Sequence, residues 1–154
     1  MLYVDSREHW THPGSKDKHI SGYFDRHGIA YTVRKLDVGD YMMEGSSVTV
    51  DRKQNVEEIS RNLTNPADKA RFWNEVRLAS KLGLKLVVLI ETNKYKHVQD
   101  LAAWRSKYSK VGGWVLVREM ERLRHSYGVD FRFVPKMSAA KNIVEILTEV
   151  EEKA

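Results

Sequence analysis

The chain of 154 residues contains no cysteine. That excludes a disulfide-stapled scaffold and any metal site built on thiolates, and it leaves the redox compartment open. No apolar run approaches the ~20 residues that a membrane-spanning helix needs. The opening MLYVDSREHW lacks the apolar core of a signal peptide. A cytoplasmic protein with no membrane partner is therefore expected. There are only three prolines, and each falls at a break: Pro13 beside Gly14, Pro66 after Thr64-Asn65, and Pro135 after an alternating stretch. Linkers, low-complexity tracts and internal repeats are absent too, so residues 1–154 are expected to form a single domain.

What is present is ordinary for a globular protein, with 42% hydrophobic and 31% charged residues. The net charge of +5 and a pI near 9.4 lean toward a polyanionic partner, although many basic proteins bind none.

Periodicity places the elements. Residues 2–4 read as a strand ending in Asp5-Ser6-Arg7-Glu8. His9 and His12 follow in an exposed loop and read as surface histidines. A helix is expected over residues 18–27, with Ile20, Tyr23, Phe24 and His27 on one face and Gly28 after it. Residues 31–36 form a strand that runs into a hairpin. Asn55 with Glu58 suits a capping box for a helix to about residue 63, and a longer helix follows over residues 68–82. The apolar run at residues 85–90, closed by Glu91, reads as a strand buried on both faces. Helices are expected over residues 98–108 and 114–127, and an alternating strand over 129–133. A last helix capped by Ser138 carries Ala140, Ile143, Val144, Leu147 and Val150, and a fraying tail follows. This order predicts a three-layer α/β domain with a central mixed sheet flanked by helices.

The informative stretch is residues 36–57, LDVGDYMMEGSSVTVDRKQNVE. Residues 36–44 and 47–53 are strand-like, and Gly45-Ser46 suits a two-residue type II′ turn. That register sets Asp40 opposite Asp51, with Cβ atoms roughly 5 Å apart, and like charges so placed repel. A divalent cation between them turns the repulsion into a ligand pair. Period-2 alternation puts Lys53 on the face of Asp51 and Arg52 on the other. The plainer alternative makes Asp40 a turn residue and Asp51-Arg52-Lys53 a solvated strand end.

Gly39-Asp40, Asp51-Arg52-Lys53 and Glu57 together resemble the signature of the XPF-type structure-specific endonucleases, a branch of the PD-(D/E)xK superfamily with a restriction-endonuclease-like fold. Asp5-Ser6-Arg7-Glu8, Arg71-Phe72 with Glu75, Glu91 and residues 128–147 extend the resemblance along nearly the whole chain. It is most similar to small stand-alone phage and bacterial members, acting in the bacterial cell or infected host, with no helix-hairpin-helix domain following. Asp51 stands where the family usually has Glu, and Glu57 where it has Asp.

The resemblance implies a Mg²⁺- or Mn²⁺-dependent endodeoxyribonuclease acting on branched, flapped or otherwise structured DNA, with no small-molecule cofactor and a homodimer among its partners. It implies that Asp40 and Asp51 hold the metal, helped by Asp5, and that Lys53 orients a water or offsets phosphate charge. Arg52 would position Glu57 or the DNA backbone. Arg7 and Glu8 would support the site, unless they form a surface pair. Arg71 and Glu75 would buttress it, unless they are a plain i, i+4 ion pair. Glu91 would support Lys53 or end its strand in water. Lys94, Lys96, Arg105, Lys107 and Lys110 surround the loops after the buried strand and are candidate DNA contacts, although each suits a solvated helix face equally. No interleaving of aromatic and basic residues of the single-strand-binding kind is expected. The competing functions are a catalytically silent DNA-binding module of the same fold that needs a partner subunit, a restriction-type enzyme, and an RNase.

Overall fold

The computed structural model describes residues 1–149; Val150 of the expected last helix and the tail beyond it lie outside them. Six strands form one mixed sheet: β1 (Leu2–Asp5), β2 (Tyr31–Arg34), β3 (Tyr41–Met43), β4 (Val48–Lys53), β5 (Lys85–Glu91) and β6 (Asp130–Val134). Their order is β2-β1-β3-β4-β5-β6. β1 pairs with β2 in parallel, β3 is antiparallel to both β1 and β4, and β4, β5 and β6 run parallel. The helices are α1 (His19–Arg26), α2 (Val56–Thr64), α3 (Pro66–Lys81), α4 (Gly113–Tyr127) and α5 (Ala139–Thr148).

The continuous apolar run of β5 explains the layering. Leu86, Val88 and Ile90 pack in one core with Ile59, Leu63, Phe72, Val76, Leu116 and Met120 of α2, α3 and α4. Val87 and Leu89 pack in a second core with Ile20 and Phe24 of α1 and Ile143 and Leu147 of α5. A strand with helices over both faces needs apolar side chains along its interior, and Leu86 to Ile90 supply them. The expected three-layer arrangement is therefore observed.

Local chemistry starts the helices. Asn55 Oδ1 accepts the Glu58 N–H at 2.8 Å, and Glu58 Oε1 reaches back to the Gln54 N–H at 2.7 Å, one residue beyond the usual capping box. Asn65 ends α2 and caps α3, and Pro66 takes the first helical position, where its missing N–H costs nothing.

Four expectations are corrected. Residues 35–40 are irregular, because β1 lies between β2 and β3 and the chain must cross it to enter the hairpin. The turn closes one residue early, with Ser46 N–H on the Met43 carbonyl and Gly45 at φ 82°, yet the expected register survives: Tyr41 faces Val50 and Met42 faces Thr49. Residues 98–108 are not a helix. A 3₁₀ turn (Val98–Ala103) is followed by a loop over residues 104–112, closed by an Arg105–Gly112 bridge and anchored by buried Trp104. Ser138 makes no side-chain cap; its carbonyl accepts from Asn142 instead.

Gly113 is where α4 meets the preceding 3₁₀ turn. A Cβ there would lie 1.6 Å from the Leu101 carbonyl oxygen, with backbone on both sides of the clash. Gly113→Ala is expected to lower the unfolding free energy in urea titration by about 3 kcal/mol or more.

Candidate active site

Three consecutive charged residues end β4, and all are buried: Asp51 is 5% exposed, Arg52 3% and Lys53 8%. The pleat sends them to opposite faces of the sheet. Asp51 and Lys53 face the layer of α2 and α3, and Arg52 faces the side of α1 and α5.

On the first face, Asp40 is stapled into place by its backbone. Its N–H donates to the Val50 carbonyl and its carbonyl accepts the Asp5 N–H, each at 2.7 Å. Its Oδ2 accepts the Arg52 N–H at 2.8 Å. Gly39 permits this approach, since at φ 75° it passes so close to Thr49 that a Cβ would meet Oγ1 at 2.1 Å. The Asp40 and Asp51 carboxyls lie close enough to interact strongly. Burial first, then the charges of Asp51 and Glu8, push the Asp40 carboxyl well above the usual carboxylate range. Lys53 Nζ lies 3.1 Å from Asp51 Oδ2 and 5.4 Å from the centre of the Phe72 ring. Burial would lower this ammonium, but Asp51 and Asp40 raise it overall, so it stays charged. Glu75 leans in from α3 to line the same cleft as Asp51 and Gly39. Burial, with the charge of Asp51 second, raises its carboxyl to about 7.

These groups line a cleft of about 300 Å³ together with Asp5, Arg7, Glu8 and Glu58. Glu75 Oε1 is buried there without a hydrogen-bond donor, and Asp51 Oδ2 is buried with the Lys53 ammonium as its near neighbour. A cluster of buried carboxylates with so few donors suits a hard cation. Among the described residues, no group of three or more histidine, aspartate or glutamate side chains has metal-holding geometry, so a cation here would have the Asp40–Asp51 pair as its carboxylate donors. Mg²⁺, which keeps several waters, needs no more than one or two carboxylates.

The family model of the ERCC4 domain matches residues 4–146. The chain belongs to the ERCC4 domain family. Two solved structures share its fold over 99% of its length: XPF from Aeropyrum pernix, at 16% identity and TM-score 0.70, and the same organism's XPF in complex with DNA, at 18% and 0.69. This ERCC4 domain spans 65% and 64% of those chains, and at such identity the likeness is one of fold alone. A search of curated proteins returned no match.

The opposite face of the ERCC4 domain's β4 holds a network that the sequence does not announce. Arg52 donates to Glu8 through Nε at 2.7 Å and Nη2 at 3.2 Å, and to Glu91 through Nη1 at 2.9 Å. Tyr41 donates its hydroxyl to Glu8 and accepts from the Trp10 ring N–H at 2.7 Å. His19 bridges Glu91, at 2.8 Å, and Asp17. Burial would lower the Arg52 guanidinium, yet its bonds to Glu8 raise it overall. Arg52 therefore does not reach Glu57, and Glu91 does not support Lys53, which points to the other side of the sheet. Tyr41, Trp10 and His19 carry no local motif, and only their distance in sequence from Arg52 hid them.

Other expected pairs are also re-sorted. Arg71 pairs with Asp68, which leaves Glu75 free to turn inward. Arg7 bonds Asp5 at 2.8 Å rather than Glu8, and Asp5 Oδ1 also accepts the Leu36 N–H at 2.8 Å. Asp5 thus lies on the cleft wall with both oxygens engaged. Glu57 accepts from Ser106 Oγ at 2.9 Å and the Lys107 N–H at 2.8 Å, tying the loop over residues 104–112 to α2. Of the DNA candidates, Lys94, Arg105 and Lys107 share one trough, Lys96 lines a separate hollow with Glu121 and Arg124, and Lys110 is exposed on the loop without lining either.

Two outcomes are expected for the metal-free protein. Arg52→Ala strands Glu8 and Glu91 in the interior and should cost about 3–5 kcal/mol in chemical denaturation. Stability should also fall as pH rises from about 4.5 to about 7, because over that window the unfolded chain has released the Glu75 proton and the folded chain still holds it, and the raised Asp40 carboxyl adds to the fall in the same direction. Glu75→Gln should flatten that fall; an unchanged slope would assign it to other groups.

Proposed function

We propose that this ERCC4 domain is a Mg²⁺- or Mn²⁺-dependent endodeoxyribonuclease that cuts branched, flapped or otherwise structured DNA. The observation that carries the reading is the closeness of the Asp40 and Asp51 carboxyls, with the Lys53 ammonium 3.1 Å from Asp51 and Glu75 Oε1 buried in the same cleft without a donor. A fold with no chemistry to perform gains nothing from two buried acids pressed together. Family membership supports the same reading, and the DNA-bound XPF of Aeropyrum pernix supports DNA as the polymer.

Asp40 and Asp51 would hold the cation, and Asp5 would act through a water, since its own oxygens are taken. When bound, the cation supplies Lewis acidity toward a phosphate oxygen and lowers the pKa of a coordinated water. Lys53 keeps its proton beside the carboxylates and offsets charge developing on the scissile phosphate. Glu75, ionising near neutrality, is placed to take up a proton inside the cleft. Arg52 touches no reacting atom; its clamp on the far face fixes the strand that carries Asp51 and Lys53, and its backbone N–H orients Asp40. Asp51, one methylene shorter than the usual Glu, would be the ligand supplied by β4. Among the described residues no helix is long and apolar enough to cross a membrane.

Flaps, forks and plain duplexes titrated with Mg²⁺ or Mn²⁺ test this reading. Cleavage is expected on at least one structured substrate, abolished by EDTA and slowed about 10²–10³-fold or more by Asp51→Asn or Lys53→Met, with DNA binding retained. If the metal-loaded domain binds all these DNAs and cuts none, it is a silent binding module.

A further inference from the structure

Beyond the cleft lies a second feature. Gln54 and Glu58 line the cleft, and Asn55 and Glu57, their immediate neighbours, line an open trough of about 810 Å³. β4 and β5 run parallel, so the loops that follow them emerge at the same edge of the sheet, and the loop over residues 104–112 closes the far wall. Four cations line the trough, Arg61, Lys94, Arg105 and Lys107, against a single acid, Glu57, which is already bonded to the loop. Two tyrosines stand among them. Tyr95 is half-buried with the Lys94 ammonium 5.5 Å from its ring centre, and Tyr108 is 84% exposed.

The exposure of Tyr108 belongs to a structured loop. Ser106 Oγ donates to Glu57 and accepts the N–H groups of Tyr108 and Ser109 at 3.1 Å each. The Ser106 N–H bonds the Val111 carbonyl, and Arg105 bridges to Gly112. A large ring is thus held out to solvent by a loop whose backbone N–H groups from Ser106 to Ser109 are all hydrogen-bonded. Such a ring gains nothing from a duplex, whose bases are already stacked on each other. It gains from an unpaired base, whose face is free, while flanking cations follow the phosphates.

We propose that this trough is a single-strand-binding site, in which Tyr108 and Tyr95 stack on unpaired bases of DNA and Arg61, Lys94, Arg105 and Lys107 hold the backbone. Its choice of DNA rests on the function proposed above, but it does not require cleavage. It places the unpaired arm of a substrate beside the cleft, at the end of β4. Aromatic and basic residues that do not interleave along the sequence meet in the fold: Lys94-Tyr95 and Lys107-Tyr108 lie apart in the chain and line one trough.

The test uses the full chain carrying Asp51→Asn, in EDTA, with a fluorescein-labelled oligothymidylate read by anisotropy across a salt series. Tyr108→Ala should weaken binding about tenfold, and Tyr108→Phe should restore it. Lys107→Ala and Arg105→Ala should each reduce the slope of log affinity against log salt by about 0.7. Duplex of equal length should be indifferent to Tyr108→Ala. The proposal is overturned if Tyr108→Ala binds oligothymidylate as the parent does, if the duplex loses as much, or if oligouridylate binds more tightly than oligothymidylate. A domain that meets these expectations but cuts no DNA ends the nuclease reading alone. One that cuts flaps while Tyr108→Ala binds unchanged ends this one alone.

Discussion

Three adjacent charges in the central strand of a sheet are the constraint on which the rest depends. Removing a charge from water costs several kcal/mol unless partners replace the solvent. Asp51, Arg52 and Lys53 cannot share partners, because the pleat separates the middle residue from the outer two. The domain therefore needs a polar layer on each face of β4, inside two otherwise apolar cores. Arg52 is fully provided for, with Glu8 and Glu91 accepting from all three guanidinium nitrogens. Asp51 shares one cation, Lys53, with the Asp40 carboxyl pressed beside it, and Glu75 Oε1 in the same cleft has no hydrogen bond at all. That asymmetry sets the fully paired face of Arg52 apart from the cleft face.

The geometry of the cleft face was largely legible in the sequence, because it is local. Period-2 alternation and a short turn suffice to set Asp40 against Asp51, and the pairing of Tyr41 with Val50 carries that register even though the turn closes one residue early. The family signature falls on the same residues. The three-layer fold was legible for a similar reason, since the unbroken apolar run of β5 admits few other settings.

What was not legible depends on distance along the chain or on competition between neighbours. Arg52 finds its partners 39 and 44 residues away, and no local pattern points to either. Arg71 had two acids within reach on one helix, and it took Asp68, which freed Glu75 for the cleft. Residues 98–108 have helical spacing but fold into a 3₁₀ turn and a loop. Asp100 takes the Lys96 and His97 N–H groups, and Glu57, on another helix, binds the segment from outside. The convergence of Tyr95 and Tyr108 follows from that loop and was hidden with it.

The strand order has a consequence for a chain made from its N-terminus. From β3 onward the sheet extends toward one edge in the order of synthesis, β4, then β5, then β6. Residues 1–81 already contain both facing aspartates, Lys53, Glu75 and the β1, β3 and β4 strands. They do not contain Glu91. A nascent chain at that length holds the acids and the lysine of the cleft face, while Arg52 has Glu8 and Asp17 but not Glu91. Arrival of β5 covers β4 and completes the neutralisation of its most deeply buried cation, so the ribosome delivers the acid cleft and the electrostatic closure behind it as separate events.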